Sequence, residues 1–433
     1  MFQLEKHGSS VKKEIIAGMT TFFTMSYIMV VNPIILADAG VPFSLSFFAT
    51  IIATVVGTLV MGLFANYPIA IAPAMGLNAY FAYSVVKAHQ GLGYEEAFAA
   101  VFVAGILFVL ISLTPLRTKL IEVIPSNLKS AITAGIGLFI AFIGLRMSGL
   151  IQDHPSNLVA LGNLHSASAL LTLAGLAITL ACMALNLNGA LFIGMIGTGI
   201  IAYLTGQLSF DSGIVSAPEI PNRLVVDNPV HAFQVVFDYG LYAVVFSFLL
   251  VTLFDTTGTV LGVAKQAGLM KEGVLPRGER TLLADSVATL TGSIFGTSPT
   301  SAYIESSSGV ASGGRTGLTA VVVAVLFALS AFFSPLVQSV SGIAAITAPA
   351  LIVVGALMMS HVSHIQWNEI DEAFPAFMVI LSMPLTSSIA TGIALGFLTY
   401  PLMKIFRGKW REVHWLVYLF AVLFFFQLVF LPH

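Results

Sequence analysis

The chain has 433 residues, 57% of them hydrophobic and 9% charged, with a mean hydropathy of +0.96. Soluble domains carry about a quarter of their residues as charged side chains, so this composition excludes a soluble globular protein and defines a polytopic membrane protein in a lipid bilayer. The formal net charge of -2 gives no sign of a nucleic-acid partner, and a lone cysteine, Cys182, excludes an intrachain disulfide or a cysteine metal cluster.

The first apolar run begins after Glu14 and continues to Ala37. It exceeds the roughly 7 to 15 residues of a signal-peptide core, so it reads as a first span rather than a cleavable leader. Runs at 43–65, 68–87, 96–113, 130–146, 167–185 and 189–205 complete a set of seven, and a polar loop follows from Gly206 to Tyr239. A second set occupies 240–264, 281–296, 299–313, 316–333, 343–360, 374–386 and 388–406. Several of these are short for a bilayer core of about 30 Å, which predicts half-spans and tilted pieces. The last run, Trp415 to Leu431, reads equally as an extra crossing or as a helix packed at the interface. With a cytoplasmic amino terminus and fourteen alternating segments, every Lys and Arg except Lys87, Arg146 and Arg223 falls inside, including Arg117, Lys119 and Lys271. The loop with Asp211, Glu219, Asp227 and Asp238 is then external.

The two sets read as related; the alternative is that any two apolar segments with Gly and Pro can be aligned in this way. A shift of 231 positions lays Ala53–Thr58 on Ala284–Thr289, and Gly62–Pro68 on Ser293–Pro299. Both prolines open a short, interrupted third span, and an odd number of spans per set forces the halves into opposite topologies. Paired broken segments in two inverted halves are the sequence pointer to a transporter's binding site. The fold expected is therefore all-α, a seven-plus-seven inverted repeat whose two broken spans contain short extended stretches.

In the first half the broken span reads YPIAIAPAMGLNAYFAY, Tyr67 to Tyr83. Pro68 and Pro73 confine the start to an extended stretch, and a helix is expected to begin near Asn78, whose amide both donates and accepts. It suits a flat heterocycle; the alternative is a cap that serves only its own backbone. In the second half GTSPTSAYIESSSGVASGGRTGLT, Gly296 to Thr319, carries Glu305 among small and hydroxyl residues. A carboxylate at membrane depth is functional by default, and a substrate with two adjacent N–H groups would satisfy both of its oxygens. The alternative is a structural hydrogen bond to the neighbouring hydroxyls; Ser306, next in the chain, is also a substrate-binding candidate. Asp255, in TLFDTTGTVLG, lies too deep to reach the interface, and the shift places it on Thr24. Two buried acids suggest divided labour, one holding substrate and one exchanging a proton, although each also reads as a fixed hydrogen-bonding group. Thr24 reads as cavity-facing or as a helix-packing residue. Phe81 and Tyr303 are candidates for clamping a flat ring.

Lower in rank, Asp285 reads as a charge at the start of the ninth segment. Arg315 reads as a positive-inside anchor or as a cap on the broken span. The cluster His361, His364, Glu369, Asp371 and Glu372 reads as a solvated loop without metal-ligand spacing. No GxxxxGK[ST] motif and no HExxH motif occur, so neither ATP hydrolysis nor a membrane enzyme is expected.

At these residues the chain resembles the AzgA-like branch of purine permeases in the nucleobase/ascorbate transporter superfamily. The resemblance is carried by GMTTFFTMSYIMVVNP (18–33), APAMGLNAYFAY (72–83), ITAGIGLFIAFIGL (132–145), LFDTTGTVLGVAKQAGL (253–269), GTSPTSAYIESSSGVASGGRTGLTA (296–320) and MPLTSSIATGIALGF (383–397). It implies a core domain from 14–113 and 240–333, a gate domain from 130–205 and 343–406, and an additional helix at 415–431. It also implies proton-coupled uptake of adenine, guanine or hypoxanthine across the cell membrane, with no cofactor beyond the coupling proton. Roles in substrate binding carry over to Asn78, Asp255 and Glu305, proton coupling to Asp255 or Glu305, and a homodimer through the gate domain is implied as well. The xanthine, urate and ascorbate branch has a Gln or Asn motif followed by Thr-Arg where this chain has TSPTSAYIES, which argues against those substrates. The rival expectation is an anion carrier or channel on the same architecture, since half-helix amino termini hold anions.

Overall fold

The computed structural model describes residues 2–87, 91–114, 123–210, 213–218, 223–270 and 275–430. Arg117, Lys119, Asp211, Glu219 and Lys271, used above for orientation, lie outside them. Among the described residues nine helical stretches are long and apolar enough to cross a bilayer, and shorter or broken elements complete two sets of seven. The chain is a multi-pass membrane protein.

The first span is α1 (Val11–Met25) and α2 (Ile28–Ala37), broken at Ser26–Tyr27. Pro33 inside α2 has no N–H to give the Met29 carbonyl, which loosens the helix just beyond the break. α3 (Phe43–Val60) widens into a π-helical turn, Met61–Ala65, and stops at Asn66 in the left-handed region, which asparagine tolerates. The third span is β1 (Ile71–Pro73) followed by α4 (Met75–Ala79) and a second π-helical turn, Tyr80–Val86. The helix thus starts at Met75, three residues before Asn78. α5 (Tyr94–Ser112), α6 (Ser126–Met147), α7 (Ala167–Ala184) and α8 (Ala190–Leu204) follow. Between α6 and α7 an antiparallel hairpin, β2 (Ile151–His154) with β3 (Leu158–Leu161), appears where no strand was expected.

The connecting loop holds α9 (Pro229–Asp238), started by Asn228 with proline at the first turn. The second set is α10 (Tyr242–Gln266), α11 (Gly278–Phe295), the broken span β4 (Thr300–Ala302) with α12 (Ser306–Ala311), then α13 (Gly317–Ser330) with α14 (Ser334–Ser341), α15 (Ala344–Met358), α16 (Ile370–Thr386) and α17 (Ile389–Phe406). The last run is a helix, α18 (Trp415–Phe430), whose Phe420 and Phe424 rings lie 4.9 to 5.7 Å from those of Phe246 on α10 and Phe397 on α17.

The two broken spans meet as a two-stranded antiparallel ladder, with Ile71 opposite Ala302, Ala72 opposite Ser301 and Pro73 opposite Thr300. A ladder this short inside a membrane leaves strand edges that lipid cannot satisfy. Threonines on neighbouring helices satisfy them. Thr58 Oγ1 donates to the Ile71 carbonyl and accepts from its N–H, both at 3.0 Å. Thr289 Oγ1 accepts from the Thr300 N–H at 3.1 Å, and Thr256 Oγ1 from the Ala302 N–H at 3.2 Å. Thr58 and Thr289 are the pair that the 231-residue shift aligns, and Ile71 faces Ala302 at the same offset. Both strands are wholly buried.

Asp285 is not a helix-terminal charge. It sits inside α11 with no solvent exposure, accepting from the Thr300 hydroxyl at 2.7 Å and from the Thr256 hydroxyl. It therefore anchors the second broken span from behind.

Candidate substrate-binding site

Glu305 is the cap residue of α12, half-buried, where the strand β4 turns into the helix. Its Oε1 accepts from the Tyr27 hydroxyl at 2.7 Å, and its backbone carbonyl accepts from Thr24 Oγ1 at 3.4 Å. Both partners lie on the first span, on either side of Met25 and Ser26, so the break in that span delivers Tyr27 to the acid. The neighbouring Ser306 turns its hydroxyl the other way and accepts from the Ala70 N–H at 3.0 Å, tying α12 to the first broken span. Tyr303, nearly buried, donates to the Pro73 carbonyl at 2.5 Å and takes the Ala70 carbonyl with its N–H at 2.9 Å. Tyr303 thus closes the ladder.

Asp255 is half-buried on α10, close to Ser301 and within electrostatic reach of both Glu305 and His361. Asp255 and Glu305 are therefore neighbours, one on a continuous helix and one on a broken span.

Asn78 and Phe81 lie deeper. Asn78 is fully buried; its amide nitrogen donates to Asn32 Oδ1 at 3.0 Å, and its Oδ1 has no hydrogen-bond partner among the described residues. Asn32 in turn donates to Thr50 at 2.7 Å and to Thr297 at 2.8 Å, and accepts from Ser298 at 3.4 Å. One asparagine thereby joins the first, second, third and tenth segments. Phe81 has no exposed surface, and its ring stacks on Phe98 at 4.4 Å rather than standing beside the acids.

Several of these groups were missed in the sequence. Tyr27 and Asn32 carry no local signal, because their partners lie on other segments of the chain, the Glu305 bonded to Tyr27 and the Thr297 bonded to Asn32 hundreds of positions away. Glu14, read only as the edge of the first run, is fully buried and receives the Arg315, Thr316 and Thr319 N–H groups at 3.1 to 3.3 Å and the Thr319 hydroxyl at 2.5 Å. It caps α13. Arg315 caps the broken span, donating to the Val310 and Gly314 carbonyls at 2.6 and 2.7 Å.

Of the cluster expected to be a solvated loop, His364 and Glu369 are exposed and His361 is half-buried, but Asp371 and Glu372 lie inside the protein. Asp371 is fully buried and Glu372 nearly so, and buried Lys404 reaches them at 3.0 and 2.7 Å. Arg407 and Lys409 add bonds to Asp371 at 3.2 and 3.1 Å, and Asn127 donates to Glu372 at 2.6 Å. This cluster ties the starts of α6 and α16 to the end of α17.

The two interlocked broken spans with a carboxylate at their meeting point define a membrane transporter of the seven-plus-seven inverted-repeat fold. Residues 12–395 match the Permease family, and the chain belongs to that family, the nucleobase/ascorbate transporters. It is 65% identical over 429 residues to the guanine/hypoxanthine permease PbuO of Bacillus subtilis (strain 168), covering 99% of each chain. It is 45% identical over 432 residues to the adenine permease AdeP of Escherichia coli (strain K12), covering 100% of this chain and 96% of that one. Among solved structures, the transmembrane domain of the cyanobacterial bicarbonate transporter BicA superposes with a TM-score of 0.65 at 17% identity, over 88% of this chain and 97% of that one. That likeness speaks for the fold alone.

Proposed function

We propose that this permease is a proton-coupled importer of purine bases, with guanine and hypoxanthine as the favoured substrates and adenine as a further one. The observation that carries the reading is Glu305, a half-buried carboxylate at the junction of two broken spans, beside Asp255. An N–H edge of a neutral base offers this carboxylate a donor in addition to the Tyr27 hydroxyl, and the names of PbuO and AdeP support the substrate class. An anion finds no counterpart here, because two carboxylates face the site. In this mechanism Asp255 or Glu305 takes up a proton on the outer side, the base binds with an edge on Glu305, and proton release inside weakens the site. The flanking segments 14–113 and 240–333 act as the moving core, and 130–205 with 343–406 as the gate. The amino terminus lies in the cytoplasm, no cofactor takes part beyond the proton, and two copies pair through the gate.

The test is uptake of labelled hypoxanthine into proteoliposomes under an imposed inward proton gradient, competed separately by guanine, adenine, xanthine and uracil. Gradient-stimulated uptake blocked by guanine supports the reading. Uptake that ignores every base, or that the gradient leaves unchanged, refutes the substrate class or the coupling respectively.

A further inference from the structure

We propose that the cleft between the first span and α8 is a binding site for one acyl chain of a membrane phospholipid. The cleft is a cavity of about 540 Å³, walled by Met29 and Val30 just beyond the break of the first span, by Met195 on α8 and by Val337 on α14. Among the described residues that line it, Ser26, Ser330 and Tyr203 alone bring a polar side chain. Ser26 Oγ donates to the Phe23 carbonyl at 3.2 Å and Ser330 Oγ to the Leu326 carbonyl at 2.8 Å, so each is turned back onto its own helix. A purine base would leave its donors and acceptors unmatched there, and a water molecule needs about two to four polar neighbours to stay in such a site. A hydrocarbon chain gives up no hydrogen bond on entering, and it gains dispersion contacts with the walls.

The bilayer supplies that chain directly. Ile196, Ile200 and Leu204 form an exposed rim of the cleft at helical spacing, continuous with exposed Ile193 on the same face of α8. At the end of α8 the exposed Tyr203 ring lies 5.7 Å from that of Phe210, an aromatic pair of the kind that sits at the headgroup level of a membrane. A phospholipid can therefore keep its headgroup at the interface while one tail enters. Deeper in, Met29, Val30 and Met195 are only 7%, 8% and 6% exposed. Lipid running along the outside of the protein does not reach these three, whereas a chain inside the cleft does. The inserted tail lies behind the break of the first span, where Ser26 lines the cleft and Tyr27, next in sequence, turns to Glu305.

The experiment places the full chain in phosphatidylglycerol liposomes doped with the same lipid carrying a photoactivated diazirine in the middle of one acyl chain, and maps the labelled peptides after irradiation. Labelling is expected at Met29, Val30 or Met195, in addition to Val422 and Leu423, which are exposed on α18 and meet bulk lipid. Gly199 lines the cleft, and a β-carbon there meets nothing within 4 Å, so Gly199→Phe extends into the space that the chain would take. That variant is expected to lose the labelling of the cleft and to keep that of α18. Gly199→Leu replaces it if the ring lowers the melting temperature in detergent. A wild type labelled on α18 alone overturns the proposal, and so does cleft labelling that both variants leave unchanged. An unlabelled cleft together with a disulfide-linked dimer of Ile200→Cys, made in a Cys182→Ser background, would give the groove to a second copy of the chain. Displacement of the probe from the cleft by an equal amount of oleic acid would give it to a free fatty acid and overturn the phospholipid assignment.

Discussion

Ala288 on α11 seats its methyl group directly against Gly57 on α3, so close that a β-carbon at position 57 has no room. The two positions are 231 residues apart, the offset that aligns the two halves, and so the repeat's own equivalents touch each other. The helices that flank the ladder cross where the local symmetry axis runs. Gly57→Ala is therefore expected to push α3 from α11 and to strain Ile71, whose side chain stands 3.0 Å from the same added atom. Overpacking of this kind costs about 1–3 kcal/mol. Thermal unfolding in detergent reads it, and an unchanged melting temperature would show that the helices separate freely.

Asp285 gives a sharper effect by a different route. Its carboxylate receives two threonine hydroxyls in a site without solvent, and one of them, Thr256, also holds the Ala302 N–H of β4. Removing the carboxylate in Asp285→Ala leaves buried donors unmatched at about 1–3 kcal/mol each. Asp285→Asn keeps one acceptor and is expected to lose less. Both variants should lower the melting temperature in that order, and uptake should fall with β4. If Asp285→Ala melts like wild type, the anchor is not what holds the strand.

Glu14 is expected to show the same hierarchy at the far end of α13. It accepts from the Arg315 and Thr316 N–H groups just ahead of α13 and from the Thr319 N–H and hydroxyl in its first turn, and its negative charge faces the positive end of the helix. Glu14→Ala should cost about 2 kcal/mol, the upper range for loss of a cap. Glu14→Gln should recover roughly half, since an amide keeps one acceptor oxygen. Comparing the two melting temperatures checks this, and equal losses would mean that packing, not capping, is responsible.

Much of the fold was legible because membrane burial writes itself into the chain locally. Runs of apolar residues gave fourteen segments, and Pro68, Pro73 and Pro299 marked where helix could not continue, which is where β1 and β4 form. Tyr303, Glu305 and Ser306 were singled out because they sit in the second break, and Thr24 because the 231-residue shift lays it on Asp255; the structure brings Thr24 to the Glu305 carbonyl. What local pattern cannot carry is partnership across the chain. Nothing near Tyr27 or Asn32 signals Glu305 or Thr297, and Asp285 looks like a helix-end charge until the threonines of other segments are brought to it. Asp371 and Glu372 failed for a related reason: three acids in four residues look solvated, and only the fold reveals that Lys404, Arg407 and Lys409 neutralise them.

That cluster yields the last prediction. Lys404 is 4% exposed and is shared between Asp371 and Glu372, so neither carboxylate has water to fall back on. Lys404→Met keeps the length of the side chain and removes the charge, leaving two buried acids close together with Arg407 and Lys409 on the rim of Asp371 and the Asn127 amide and Tyr400 hydroxyl on Glu372. Breaking one side of a buried ion pair costs about 3–5 kcal/mol, far more than the 0–1 kcal/mol of an exposed pair such as Arg223 with Glu95. Lys404→Met is therefore expected to lower the melting temperature much more than Arg223→Met. The triple variant Lys404→Met, Asp371→Asn, Glu372→Gln removes the uncompensated charges and should regain most of the loss. If Lys404→Met and Arg223→Met melt alike, the Lys404 cluster is solvated in the membrane-embedded protein and contributes no more than a surface pair.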